Sequence, residues 1–223
     1  MTKLFLVPTP IGNLEDITLR AISVLSEVDL VLAEDTRKTS FLLKHLAIEK
    51  KIISHHKFNE HKTVDHILAR MKAGETMALV SDAGTPSISD PGFLLVRACI
   101  ENDIQIECLP GPTAFVPAIA ASGLASERFC FEGFLPVKKG RQKMLQKLKD
   151  EERTMVFYES PHRILKLLSQ LEEVLGAGRN ASISRELTKI HEETVRGSLS
   201  QLTEYFSKKT PRGEFVLVVA GKK

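Results

Sequence analysis

Acidic side chains follow two of the short apolar runs in the sequence. Glu34 and Asp35 come directly after one run, and Asp82 and Asp90 lie in the long loop after another. Paired carboxylates near a ligand can share proton transfer, one held ionised and the other with a shifted pKa, or can bind a cationic or hydroxyl-bearing group. Asp35 is equally well placed to cap the helix that follows it. The sequence leaves both roles of Asp35 open.

Three loops rich in glycine, proline and small residues each follow a predicted strand directly. They cover residues 7–13, 81–92 and 109–114. In an open α/β sheet, loops at the carboxyl ends of the strands line one crevice, where ligands bind. Small side chains there let a ligand approach the main chain. Because the motifs Gly-x-Gly-x-x-Gly and Gly-Lys-Ser/Thr are both absent, we do not expect a pyrophosphate held at a glycine-rich turn.

The pattern of apolar residues predicts the elements that position these loops. Short apolar runs alternate with stretches of helical period, which is typical of an α/β fold. Runs of four or five apolar residues without alternation predict a mostly parallel sheet in the first half. More closely spaced strands predict a mixed sheet in the second half. Asp16 is predicted to cap the first helix, and the small residues of 120–126 predict a boundary between domains of residues 1–122 and 123–223.

The composition is that of a globular protein that can bury a core. The 223 residues are 43% apolar, and no run approaches the roughly 18 apolar residues of a membrane helix. The first residues also lack the apolar core of a signal peptide. Cys99, Cys108 and Cys130 have wide, irregular spacings that predict neither a zinc site nor a disulfide framework. These features predict a cytoplasmic protein without a membrane segment.

A histidine-rich segment, residues 54–61 with His66 beyond it, has a composition that metal sites share. Its spacing matches no standard zinc arrangement, and no cysteine or pair of glutamates stands at ligand spacing. We therefore expect no metal, and we interpret the segment as a polar, hydrogen-bonding rim of the crevice.

The net charge of +3 conceals an asymmetry between the two halves. Residues 1–125 hold 12 basic and 15 acidic residues, whereas residues 126–223 hold 19 basic and 13 acidic residues. The strongest basic cluster comprises Lys138, Lys139, Arg141, Lys143, Lys147 and Lys149. Such a run is usually a solvated helix face, but without acids it also suits contact with a phosphate backbone. A nucleic-acid partner is therefore expected to meet the second half.

Six segments carry a specific resemblance to a known family. They are Val-Pro-Thr-Pro-Ile-Gly-Asn-Leu-Glu-Asp at 7–16, Ala-Glu-Asp-Thr-Arg at 33–37, His-His-Lys-Phe-Asn-Glu at 55–60, Ser-Asp-Ala-Gly-Thr-Pro at 81–86, Pro-Gly-Pro-Thr-Ala at 110–114 and Phe-Tyr-Glu-Ser-Pro-His-Arg at 157–163. Together and in this order, they resemble the ribose 2′-O-methyltransferases of bacterial 16S ribosomal RNA, within the tetrapyrrole methylase superfamily. The resemblance runs from residue 3 to about residue 221.

The resemblance implies two α/β domains of the tetrapyrrole methylase type, a homodimer, and S-adenosylmethionine bound folded in the cleft between the domains. It implies methylation of a cytidine ribose in the decoding region, so the expected partner is 16S ribosomal RNA or the small ribosomal subunit. By position, the implied cofactor residues are Pro10, Ile11, Ser81, Asp82, Ala83, Gly84, Ile88, Thr113, Ala114, Tyr158 and Leu187.

The resemblance suggests catalytic residues, and the basic side chains suggest residues that bind RNA. Related tetrapyrrole methylases place a proton acceptor where Glu34 or Asp35 falls, with a partner near Lys57, and Lys189 is a further candidate. The sequence does not rank these four. The cations expected to clamp phosphates or the target base are Arg37, Lys57, Arg163, Arg185 and Lys189, with Lys138, Lys139, Arg141 and Lys143 on flanking RNA. For Arg185, a surface ion pair is the alternative.

The sequence allows two alternative functions, and it departs from the family pattern in two places. The chain could methylate a tetrapyrrole or another small metabolite on the same fold, or it could be a non-catalytic RNA-binding protein of ribosome assembly. Ser87 stands where we expect Gly or Leu. Many family members also carry a further C-terminal segment, and we expect other residues to supply any RNA contact that this segment makes.

Overall fold

The computed structural model describes residues 2–222, which form two compact units. The first unit ends at Thr113 and the second begins at Ala114. Each unit is built on its own five-stranded sheet. Met1 and Lys223, the outer ends of the two predicted domains, lie outside the described residues. Within the described residues, no helix has both the length and the apolar character needed to cross a bilayer.

The first unit is an α/β layer structure with a parallel sheet. Its strands are β1 (Lys3–Leu6), β2 (Leu30–Ala33), β3 (Ile52–Ser54), β4 (Met77–Val80) and β5 (Gln105–Cys108). Its helices are α1 (Leu19–Glu27), α2 (Thr36–His45), α3 (Glu60–Lys72) and α4 (Phe93–Glu101). The strand order is β3-β2-β4-β1-β5, and every neighbouring pair is parallel, as predicted. The carboxyl ends of all five strands therefore lie at one edge of the sheet.

The central strands β2 and β4 are apolar without alternation because both of their faces are covered. Leu32 and Leu79 pack into one core, together with residues of α3 and α4. Val31 and Ala78 pack into a second core on the opposite face, together with residues of α1 and α2. Burial on both faces selects continuous apolar strands, which is why the pattern predicted a parallel sheet.

The first helix begins differently from the prediction. The hydroxyl of Thr18 accepts a hydrogen bond from the backbone N–H of Ala21 at 3.0 Å and caps α1. Asp16 instead ends a short 3-10 turn over Leu14–Asp16. The predicted Asp16 cap is therefore wrong, because this turn places the aspartate two residues ahead of the position from which a side chain caps the helix.

The second unit has a mixed sheet, as predicted. Its strands are β6 (Phe129–Phe134), β7 (Thr154–Glu159), β8 (Asn180–Arg185), β9 (Glu193–Ser198) and β10 (Phe215–Val219). Its helices are α5 (Phe115–Ser122), α6 (Arg141–Lys147), α7 (Ile164–Leu175) and α8 (Leu199–Ser207). In the order β6-β7-β10-β8-β9, β6 and β7 are parallel and the other pairs are antiparallel.

The structural boundary between the units differs from the predicted one by the length of α5. Ala118 and Ile119 of this helix are buried against Val156, Val216 and Val218 of the second sheet. Because α6, α7 and α8 pack into a core on the opposite face, α5 covers the remaining apolar face and belongs to the second unit. Residues 114–125 carry no charged side chain, so the charge asymmetry applies unchanged to the two structural units.

Candidate active site

Two loops at the carboxyl edge of the first sheet are joined through their main chains. The backbone N–H of Thr9 donates to the carbonyl of Gly84 at 2.9 Å, and the N–H of Gly84 donates to the carbonyl of Thr9 at 2.9 Å. The Thr9 hydroxyl also donates to the carbonyl of Ser81 at 3.1 Å. The loop after β1 and the loop after β4 are therefore held together without relying on exposed side chains.

The third loop, which follows β5, joins this pair. The hydroxyl of Thr85 donates to the carbonyl of Pro112 at 3.1 Å. Gly111 packs so closely on Pro8 that a Cβ at position 111 would lie 2.7 Å from the proline Cβ. Gly84, with a φ of 81°, faces Ile11 and the carbonyl of Pro112. The three loops predicted to line one crevice thus lie together.

The predicted first-unit cofactor residues all lie in these three loops. A groove of about 400 Å³ opens beside them. Its lining includes the predicted residues Pro10, Ser81 and Asp82, together with Thr9, Leu14, Arg37, Lys38, Thr39, Phe41 and Leu42. The side chain of Phe41, in this lining, is 66% exposed. Its neighbours Leu42 and Leu43 are buried.

Asp35 has the role of a helix cap. Its side chain accepts from the backbone N–H of Arg37 at 2.9 Å, and the Arg37 guanidinium lies 2.6 Å from its second oxygen. Hydrogen bonds from the Arg37 side chain and backbone hold the pKa of Asp35 well below its usual range. Asp35 is therefore an ionised cap and a weak proton acceptor, and Arg37 is ion-paired with it.

Asp82 ties the loop after β4 to the start of α2. Its Oδ1 accepts from the backbone N–H of Asp35 at 2.9 Å, and its Oδ2 accepts from Lys38 Nζ at 2.7 Å. The ion pair with Lys38 neutralises one of the carboxylates that crowd this edge of the sheet.

Glu34 and Asp90 are the carboxyl groups at this edge whose pKa values move toward neutrality. Burial, followed by the negative charge of Asp82, raises the pKa of Glu34. Burial, followed by the negative charge of Glu34, raises the pKa of Asp90 to about 7, although a hydrogen bond with Ser81 opposes the shift. Each of these two acids therefore binds its proton more tightly than an ordinary carboxyl group and is a stronger base once ionised, which suits proton transfer.

The histidine-rich segment covers the end of β3, a turn and the start of α3. Lys57 is exposed in the turn between β3 and α3, whereas His55 is buried and its Nδ1 lies 2.8 Å from the hydroxyl of Thr63. Across residues 2–222, the structure contains no group of three or more His, Cys, Asp or Glu side chains arranged to hold a metal ion.

The predicted cofactor residues of the second unit lie in or beside one aromatic cluster. Tyr158, at the end of β7, packs edge-on against Phe131 and Phe134, with ring centroids 5.0 and 5.6 Å away. Leu187, in the loop after β8, packs against the core that contains Val156. Ala114 directly precedes α5.

Three predicted RNA-binding cations of the second unit are ion-paired within that unit. Arg163 Nη2 lies 2.7 Å from Glu159, and Arg185 Nε lies 3.3 Å from Glu193. Lys189 Nζ lies 2.9 Å from both Glu186 and Glu214. The ion-pair alternative therefore describes the contacts of Arg185, and ion pairs also hold Lys189 and Arg163, the latter with the buried carboxylate of Glu159.

The basic cluster of the second unit divides into exposed lysines and one buried arginine. Lys138, Lys139 and Lys143 are exposed. Arg141 is only 4% exposed; it donates to Gln170 Oε1 at 2.8 Å and to the carbonyl of Pro136 at 3.1 Å. This burial contradicts the predicted RNA contact of Arg141, because its guanidinium lies inside the unit.

Comparison with known proteins gives the class of this chain. The family model Tetrapyrrole (Corrin/Porphyrin) Methylases matches residues 3–203. The chain belongs to this family of methyltransferases, and the predicted fold class is confirmed.

Two relatives are similar to this chain over nearly its whole length. A protein of Synechocystis sp. named Ribosomal RNA small subunit methyltransferase I is 52% identical over 222 residues, which cover 99% of this chain and 80% of the relative. A Thermotoga maritima protein of the same name is 48% identical over 222 residues and is covered, like this chain, over 100% of its length.

Solved structures share the fold at much lower identity. Diphthine synthase has a TM-score of 0.76 at 11% identity, with 100% of this chain and 91% of that chain covered. The uroporphyrin-III C-methyltransferase of Thermus thermophilus, complexed with S-adenosylhomocysteine, has a TM-score of 0.67 at 20% identity, with 98% and 97% covered. These likenesses concern the fold alone.

The raised pKa of Asp90 predicts a pH dependence of stability. In the unfolded chain, Asp90 loses its proton near the ordinary value of 3.8, whereas in the folded chain it keeps the proton up to about pH 7. Between these values the folded state binds more protons, so the free energy of unfolding falls as the pH rises. Urea unfolding from pH 3.5 to pH 7.5 should show a steeper loss for the wild type than for Asp90→Asn. Parallel curves for the two proteins would contradict this prediction.

Proposed function

We propose that this protein is an S-adenosylmethionine-dependent methyltransferase that modifies the ribose 2′-hydroxyl of a cytidine in the decoding region of 16S ribosomal RNA. The proposal rests on 48–52% identity over essentially the whole chain to relatives named as small-subunit ribosomal RNA methyltransferases. The cytidine and its 2′ oxygen are inferred from the resemblance of the six sequence segments. A cytoplasmic homodimer, implied by the same resemblance, is part of the proposal.

The first-unit loops fit the proposed cofactor. Gly84 adopts a backbone conformation that L side chains rarely take, and Gly111 has no room for a side chain beside Pro8, so at these positions no side chain keeps a ligand from the main chain. S-adenosylmethionine would supply a methyl group on a positively charged sulfur, which the carboxylates at this edge complement. The residues proposed to hold it are Pro10, Ile11, Ser81, Asp82, Ala83, Gly84, Ile88 and Thr113 of the first unit and Ala114, Tyr158 and Leu187 of the second.

Among the four candidate proton acceptors, Glu34 fits the role best. Asp35 is held ionised by Arg37, and Lys57 is exposed to solvent. Burial opposes protonation of Lys189, but its hydrogen bonds to Glu186 and Glu214 outweigh burial and raise its pKa. Glu34 has a raised pKa, so it is a stronger base than an ordinary glutamate and can take the proton of a ribose hydroxyl as the new bond to oxygen forms.

Replacing Glu34 by Gln should therefore lower kcat by about 10²–10⁴-fold, the usual contribution of a positioned general base. The dissociation constant of S-adenosylmethionine should stay within about threefold, since the amide keeps the size of the side chain. Asp35→Asn is the matched control: asparagine also caps helices, so kcat should change little. Equal loss of kcat in the two variants, or none in Glu34→Gln, would exclude Glu34 as the acceptor.

The second unit supplies the positive charge for the proposed RNA contact. It carries 19 basic and 13 acidic residues. Lys138, Lys139 and Lys143 are exposed and lie in a segment that has no acidic side chain between Phe134 and Lys149. We assign these lysines to the phosphates of RNA that flanks the target nucleotide.

Replacing both Lys138 and Lys139 by Ala should weaken RNA binding and reduce its salt dependence. Two lost phosphate contacts lower the slope of log K against log salt by about 1.4, as expected for single-stranded RNA. The adjacent pair Lys50 and Lys51 provides a matched double-alanine control. These lysines directly precede β3 and so lie at the amino-terminal ends of the strands of the first sheet. Filter binding between 50 and 200 mM salt measures both slopes, and an equal change in the two variants would contradict the assignment.

The proposed function itself is tested by incubating the protein with methyl-labelled S-adenosylmethionine and small ribosomal subunits that lack the modification. We expect label in one cytidine ribose of the decoding region, and none in subunits that already carry the methyl group. Label in no RNA, or transfer to a small tetrapyrrole without any RNA present, would overturn the proposal in favour of the small-metabolite alternative.

A further inference from the structure

Glu60 connects two segments that lie far apart in sequence. It is the first residue of α3, and its side chain is almost entirely buried at 7% exposure. Its Oε1 accepts from the backbone N–H of Gly92 and from that of Leu94, each at 3.1 Å. These donors stand at the start of α4, at the point where the 81–92 loop ends.

The helix that Glu60 contacts has no side-chain cap of its own. Gly92 occupies the N-cap position of α4 with a φ of 128°, and the cap makes no side-chain hydrogen bond. The first N–H groups of a helix need acceptors, and a carboxylate is the favoured one because the N-terminus carries partial positive charge. Glu60 thus supplies from another helix the cap that a glycine cannot provide.

A buried histidine lies beside this carboxylate. His55 is fully buried, and its Nε2 lies 3.8 Å from Glu60 Oε1. Burial lowers the pKa of His55 despite the nearby carboxylate, so the ring is neutral at neutral pH. The neutral imidazole therefore packs beside Glu60 without forming a charged pair with it.

The turn before Glu60 is held by the side chain of Asn59 and carries the exposed Lys57. The side chain of Asn59 accepts from the backbone N–H of His56 at 2.7 Å and donates to the carbonyl of Ser54 at 3.0 Å. Glu60 follows this turn directly. The segment with the exposed lysine and the loop with Asp82 and Asp90 are thus coupled through one carboxylate.

The loop that Glu60 anchors needs external support. Ser87 and Ser89 both have positive φ, 68° and 65°, which is unfavourable for residues other than glycine. The loop is fixed near its start by the Thr9–Gly84 bridge and at its end by Glu60. Without the second anchor, the strained middle is free to relax toward other conformations.

We propose that Glu60 is a positioning residue for the cofactor: by holding the end of the 81–92 loop, it keeps the proposed binding surface formed, and it links this surface to the turn that carries Lys57. The identity of the ligand rests on the proposed function, whereas the anchoring of the loop does not.

Two measurements on Glu60→Ala test the proposal. Hydrogen–deuterium exchange without ligand should accelerate in peptides that cover 81–94 while the remainder of the first unit keeps its protection. Calorimetry should show the dissociation constant of S-adenosylmethionine rising by about tenfold or more. Glu60→Gln keeps an oxygen acceptor, so it should recover most of the affinity and protection. If the alanine variant does not fold, the same two measurements are made on Glu60→Gln.

Asp29→Ala is the matched control for a purely structural loss. Asp29 accepts two hydrogen bonds, from the Thr76 N–H at 2.7 Å and the Thr76 hydroxyl at 2.8 Å, and it precedes β2 at the opposite edge of the same sheet. Its loss should lower Tm without changing exchange in 81–94 or cofactor affinity. Unchanged exchange in 81–94 of the Glu60 variants, or equal changes in the Asp29 variant, would overturn the proposal. A wild-type protein that binds no S-adenosylmethionine would refute the proposed function, and the exchange data would still decide the role of Glu60.

Discussion

The candidate site depends on the pair of backbone hydrogen bonds between Thr9 and Gly84. The strands β1 and β4 are parallel neighbours, so their carboxyl ends lie side by side, and this bridge extends their association into the loops. Glycine at position 84 permits the required φ of 81°. Because main-chain atoms hold the loops, small side chains such as Ala83 can face a ligand without loss of order. Precise loops on a rigid sheet are what alignment of a methyl donor and its acceptor requires.

The acids at this edge of the sheet divide into ion-paired carboxylates and partly buried carboxyl groups. Lys38 neutralises Asp82, and Arg37 holds Asp35 ionised. Burial and nearby negative charge raise the pKa of Glu34 and the pKa of Asp90. In the second unit, by contrast, several cations are already paired with acids, and the exposed lysines carry the uncompensated charge. The acid chemistry and the proposed phosphate contacts therefore belong to different units of the chain.

The elements could be predicted from the sequence because burial on one or both faces leaves a direct pattern of apolar residues. The loop positions followed, since each loop directly succeeds a strand. Side-chain direction could not be predicted: Arg141 stands in a run of lysines, yet its guanidinium turns inward to Gln170 and backbone carbonyls. Nor could the sequence show that Glu60 caps a helix 32 residues away or that α5 covers the second sheet. Such contacts depend on tertiary packing, which local spacing does not encode.

The central claim is that the three loops at the carboxyl edge of the first sheet form the cofactor site. It is tested most directly by comparing hydrogen–deuterium exchange of the whole protein with and without saturating S-adenosylmethionine. A cofactor held through the loop main chains should slow exchange in peptides covering 7–13, 81–92 and 109–113. Protection confined to other segments, with these three loops exchanging as in the free protein, would contradict the account.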